Sequence, residues 1–130
     1  MKKYFLLLII FYSNFFAFSS DIRAAYAIGI FHENGTGENI QHKKFSQNDY
    51  NGICFSKIVI FGNYNQNSKI EVKIGNSLGH LKNKAPIFND KKIQIGNELT
   101  FIHYTVTNGL FEIKIDDKLY DSKVFIKWFF

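Results

Sequence analysis

Polar and apolar residues alternate most cleanly in two places, residues 69–74 and 110–116. In KIEVKI, Ile70, Val72 and Ile74 alternate with Lys69, Glu71 and Lys73; in LFEIKID, Phe111, Ile113 and Ile115 alternate with Glu112, Lys114 and Asp116. A period of two sends successive side chains to opposite faces of a strand, so both segments predict strands with one dry face and one charged face. Residues 22–31 (IRAAYAIGIF) and 53–61 (ICFSKIVIF) are largely apolar, and they predict buried strands. Residues 98–106 (ELTFIHYTV) carry β-branched and aromatic side chains on both faces, which suits a central strand. A short strand, KIQI at 92–95, and a closing one, KVFIKWFF at 123–130, complete the set.

Turn residues punctuate these runs at Gly62-Asn63, Gly75-Asn76, Gly96-Asn97 and Asp116-Asp117-Lys118, while Thr107-Asn108-Gly109 carries the Asn-Gly pair that favours a hairpin. About seven short strands with no amphipathic helix predict an all-β fold, either an antiparallel β-sandwich or a small barrel. Two stretches fall outside the pattern. Residues 32–52 are polar and rich in turn formers, and residues 77–91 contain the sole proline, Pro86; both read as loops. Loops of that length in a compact domain are functional or mobile.

The first twenty residues differ from the rest. Lys2 and Lys3 precede an apolar run from Tyr4 to Tyr12, and small residues follow near position 20. This is the layout of a secretory signal peptide over residues 1–20, and the run is shorter than the ~20 residues a spanning helix needs. The expectation is one domain over residues 21–130, secreted or periplasmic. The chain holds sixteen Lys and Arg against eleven Asp and Glu; without Lys2 and Lys3 the surplus falls to three. So small a surplus gives no reason to expect a nucleic-acid partner.

The ending admits a second architecture. Phe130 in last place, with Trp128 two residues before it, resembles the terminal strand of bacterial outer-membrane barrels, which would imply a small barrel in that membrane. Eight membrane strands of ~9–11 residues would take ~80 residues, leaving little for the two long loops. The soluble sandwich, with Trp128 packed between sheets, is the preferred reading, and membrane contact beyond export is not expected.

Candidate chemistry is sparse. A single cysteine, Cys54, sits in an apolar run and reads as a buried thiol, so no disulfide forms within the chain. His32, His42, His80 and His103 lack the spacing of a zinc site, and no G-x-S-x-G or phosphate-binding loop is present. No cofactor is expected. A small secreted hydrolase would have to draw on His32, Glu33, Glu38 and Asp49, which share the first loop.

These residues point to a non-catalytic binding protein of the inhibitor, immunity or surface-recognition type, whose partner is another protein or a glycan. Contact residues are expected in the two loops. In the first, Phe45, Asp49 and Tyr50 offer aromatic anchors amid polar neighbours. In and beside the second, Lys82, Lys84, Phe88, Lys91 and Lys92 form a basic patch suited to an acidic partner.

Overall fold

The computed structural model describes residues 21–50 and 52–126. The signal-peptide segment and the terminal aromatics from Trp128 to Phe130 lie outside the described residues. Nine strands and no helix are present among them: β1 (Asp21–Phe31), β2 (Gly37–Asn39), β3 (Gly52–Asn63), β4 (Ile70–Ile74), β5 (Ser77–Leu78), β6 (His80–Phe88), β7 (Gln94–Val106), β8 (Gly109–Ile115) and β9 (Lys118–Ile126). They form two antiparallel sheets, a five-stranded one ordered β2-β1-β3-β7-β6 and a four-stranded one ordered β5-β4-β8-β9. The sheets do not close into a barrel, which settles the choice between the two expected architectures.

The period-two segments behave as their pattern requires. Val72, Ile74, Phe111, Ile113 and Ile115 are buried, and they meet Ala25, Ala27, Ile58, Ile60, Leu99 and Phe101 from the opposing sheet in one core. On the solvent side of the four-stranded sheet, Glu71 sits opposite Lys114 and Lys73 opposite Glu112, so each cross-strand neighbour carries the opposite charge. The β8–β9 hairpin turns at Asp116 and Asp117, both with positive φ (51° and 67°), the backbone of a tight two-residue turn.

Three expectations fail for identifiable reasons. Residues 77–91 are not a loop: they contain β5 and the nine-residue β6. β6 lies at the sheet edge and eight of its nine residues are exposed, so nothing in its environment demands an alternating pattern; Pro86 is tolerated there because an edge strand can spare an amide. Gly96-Asn97 does not end a strand, because β7 runs through it from Gln94 to Val106. Gly96 is needed for close strand approach, since a Cβ there would stand 2.2 Å from the Ile60 carbonyl oxygen. The Asn108-Gly109 turn reverses the chain without making a hairpin. β7 pairs with β3 and β6, whereas β8 pairs with β4 and β9, so this turn carries the chain from one sheet to the other.

Polar side chains pin the two layers together. His103, fully buried on β7, contacts Ser56 Oγ through Nε2 (2.8 Å) and the Ser77 carbonyl through Nδ1 (3.2 Å). A carbonyl only accepts, so Nδ1 carries the proton and Nε2 accepts from the Ser56 hydroxyl. Ser77, on the smaller sheet, donates in turn to the Tyr104 carbonyl at 2.6 Å. Gly79 makes room for this ring, because a Cβ there would lie 2.8 Å from the imidazole. At the other end of the sandwich, Asp121 on β9 accepts from the Ala27 amide of β1 (3.0 Å) and from the Lys123 amide (3.1 Å). β2 spans only three residues, so most of β1 has no strand on the edge away from β3, and the Asp121 carboxylate takes the place of a ladder partner there.

Burial lowers the His103 pKa to about 4, with the Ser77 carbonyl opposing that shift and His80 adding to it. Above pH 6.5 the ring is neutral whether the chain is folded or not. Between 6.5 and 4 the unfolded chain takes up a proton that the folded chain refuses, so stability falls as pH falls across that window, by about 3 kcal/mol in all. In a histidine NMR titration, the His103 imidazole is expected to stay neutral until near pH 4; the urea midpoint should fall less between pH 7 and pH 4.5 in His103→Asn than in the parent. Protonation of the His103 ring near pH 6.5 would contradict the buried pin.

Candidate binding surfaces

The first long loop is ordered from within. Ile40, Ser46 and Tyr50 are all buried, and the Ile40 amide donates to the Ile28 carbonyl. Glu38 acts as a clasp: one carboxylate oxygen accepts from the Gln47 amide (2.7 Å), the other from the Asn48 side chain (3.2 Å), and Lys43 stands 3.9 Å away. Residues 44–46 lie parallel to β9, where the Ser46 amide donates to the Phe125 carbonyl and the Phe125 amide to the Lys44 carbonyl. The effect is to append a short fifth rung to the smaller sheet.

Tyr50 is therefore not the exposed anchor its polar neighbours suggested. It is fully buried, its ring stacks on His32 at 4.6 Å, and desolvation raises its pKa, with the nearby Asn48 amide opposing. Sequence reading placed it on the surface because its neighbours are polar; a single buried ring in an irregular segment leaves no periodic trace. Asp49 beside it is half-buried and does not line the surface described next.

Phe45 does stand on the surface, 55% exposed, with its ring edge-on to Phe125 at 6.3 Å. Leu110 pairs with Phe125 across β8 and β9, on the outward face of the sheet. These three apolar residues floor an open groove of about 720 Å³, whose rim is Gln41, His42, Lys43, Lys44 and Lys123. No acidic residue lines it, and Lys43 leans toward Glu38 at its margin. Lys44 and Lys123 are exposed. The groove joins Phe45 to seven further lining residues, Leu110 from β8, Lys123 and Phe125 from β9, and Gln41, His42, Lys43 and Lys44 from the loop. Leu110 and Phe125 were hidden from sequence reading because they sit in strands whose other face is core.

The second cluster survives as a cluster but changes character. Lys82, Lys84 and Phe88 lie on β6, and Lys91 and Lys92 in the turn that follows, so all five belong to one β6–β7 hairpin. Phe88 is 56% exposed, and Ile93 and Ile95, expected inside the KIQI strand, are exposed with it. Lys84 caps the Tyr64 ring at 4.9 Å. This hairpin occupies the edge away from β1, and its turn lies at the opposite end of the strands from Phe45 and Phe125. The two groups of predicted contact residues thus form two surfaces rather than one.

The remaining chemistry is accounted for by structure. Cys54 is fully buried, and desolvation pushes its pKa up to about 12. Among the described residues, no group of three or more His, Cys, Asp or Glu could hold a metal ion. Glu38 is committed to the loop clasp. His32 and Glu33 border a shallow opening with Asn34, Thr36 and Ile53, while His42 lies in the Phe45 groove, so the two histidines of this loop serve different surfaces.

No protein-family model matches this chain, and comparisons with curated proteins and with solved structures find no match.

The contrast between the two aromatics is testable. Tyr50→Ala is expected to cost about 3–5 kcal/mol in urea unfolding, as deletion of a buried ring does, whereas Phe45→Ala should stay within about 0.5 kcal/mol of the parent. Equal costs would mean that the loop is not anchored as described.

Proposed function

We propose that this chain is an exported, non-catalytic β-sandwich that binds another protein, and that it does so through the groove floored by Phe45, Leu110 and Phe125. One observation carries the reading. Phe45 stands more than half exposed, yet the residues on either side of it, Lys44 and Ser46, are hydrogen-bonded through their backbone to Phe125 of β9, so its position is fixed before any partner arrives. A preorganised aromatic anchor loses little conformational entropy on binding, which is the property that interface hot spots share. Lys44 and Lys123 beside it, with no acid on the rim, favour an acidic stretch of the partner carrying an apolar side chain for the floor. Export rests on the pattern of residues 1–20, and it directs the search to the extracellular or periplasmic fraction.

Affinity capture from that fraction, followed by titration of the captured partner, tests the assignment. Phe45→Ala should weaken binding at least about tenfold, the loss expected of a hot-spot side chain. Lys44→Gln with Lys123→Gln should weaken it further, and that loss should shrink at high salt. A partner held with unchanged affinity by both variants would remove the groove from consideration. Capture of an anionic glycan in place of a protein would overturn the protein reading while keeping the groove.

A further inference from the structure

The two outer faces of this sandwich are unlike each other. On the four-stranded sheet, water-facing partners carry opposed charges, Glu71 against Lys114 and Lys73 against Glu112. The five-stranded sheet has no such ladder. Four rungs of cross-strand partners run over β1, β3, β7 and β6, with Phe31, Phe55 and Ile102 on one, Tyr26 and Val59 on another, and Phe61 on a third. Their chain neighbours Ile30, Ile58, Ile60 and Phe101 are core, so alternation sends this set outward. Counting histidine as neutral, only Lys57 and Glu98 are charged among the sixteen rung positions, and they pair with each other at 3.3 Å. Arg23 and Lys82 fall in register shifts of the two flanking strands, off the rungs. The face is smooth as well. The Phe31 ring lies over Gly29, where a Cβ would stand 2.8 Å from it, and the Lys57 ammonium rests over that ring at 5.4 Å. Beyond the rungs, Ile53 and Tyr104 continue the same side, the Tyr104 ring 5.9 Å from that of His80. Among the described residues, no strand crosses this face.

A sheet face composed like a core but turned to water calls for a cover. Three properties select it. The first is charge. Lys57 and Glu98 sit on the two central long strands, one of each sign, so two such faces meet without a surplus of either. Anionic lipid and strongly charged proteins are recognised through a surplus that these rungs lack. The second is shape. A twisted sheet is matched over its whole width by another sheet of the same hand, which is how the sandwich closes its own core. The third is size. The face is about 19 Å across four strands and about 30 Å from Ile53 to Phe61, so two copies would cover about 1,100 Å² together, above the ~1,000 Å² that a specific interface needs. We infer that two copies of this chain stack through the outer faces of their five-stranded sheets, with Lys57 of each set against Glu98 of the other. The four-stranded sheets then lie outermost, and the Phe45 groove stays open on each copy, so the inference does not depend on what that groove binds.

Sedimentation equilibrium of the purified protein tests it. A monomer–dimer equilibrium is expected, unchanged by Phe45→Ala. Lys57→Glu and Glu98→Lys should each raise the dissociation constant at least about tenfold, because each sets like charges against one another across the interface. An equimolar mixture of these two variants should recover the dimer, since one copy then brings two carboxylates and the other two ammonium groups. Mixing repairs neither a misfolded chain nor the loss of some other partner, so recovery is particular to a face that meets itself. Phe55→Lys should also weaken the dimer at least about tenfold while leaving circular dichroism unchanged. A monomer at roughly 0.1 mM, whether its face is bare or covered by residues 1–20, would overturn the inference. So would a dimer that neither charge variant weakens, or variants that mixing does not restore. Binding to lipid vesicles or to an unrelated protein that requires Phe55, in a chain that stays monomeric, would overturn it too.

Discussion

A four-stranded sheet cannot cover a five-stranded one, and that mismatch shapes this molecule. The core is the overlap between them, filled by Ile58, Ile60, Leu99 and Phe101 from one side and Val72, Ile74, Phe111 and Ile113 from the other. No disulfide assists, so this apolar burial must supply the stability of a small domain. What falls outside the overlap is left with its side chains in water. β6 is the overhanging strand, and its exposure follows from its place in the sheet order more than from its composition. At the opposite edge, β1 runs past its short neighbour β2, and there the structure borrows Asp121 and residues 44–46 to finish what the sheets do not.

The same geometry explains why the molecule has two candidate surfaces. Residues 44–46 attach to β9, the outer strand of the smaller sheet, and so carry Phe45 to the outward side, next to Leu110 and Phe125. β6 belongs to the wider sheet and is exposed along almost its whole length at that sheet's edge. Both surfaces arise from one constraint, expressed at two corners.

Sequence reading reached the elements whose environment imposes a rule. Where one face is core and the other is water, as in Ile70–Ile74 and Gly109–Ile115, alternation is enforced and therefore visible. Cys54 was placed inside because it stands within a run that only burial explains. β6 could not be found this way, since a strand exposed on both faces obeys no pattern and its lysines and proline look like loop. The crossing at Asn108-Gly109 was misread for a related reason. Turn chemistry is local, whereas the pairing of the flanking strands is decided by distant residues. Tyr50 was read as exposed because its burial involves His32 stacking on its ring, a contact that no window of neighbours contains. Of the candidate contacts, Phe45, Lys82, Lys84, Phe88, Lys91 and Lys92 were placed on the surface, while the companions that turn Phe45 into a groove were legible only once β8 and β9 were paired.

Cys54 gives the fold an internal clock. With its sulfur sealed in the core and its pKa pushed up to about 12, Cys54 presents no thiolate for an alkylating reagent to attack in the native molecule at neutral pH. Any labelling of that atom must wait for the sheets to part, so the speed of its modification counts openings of the sandwich one by one.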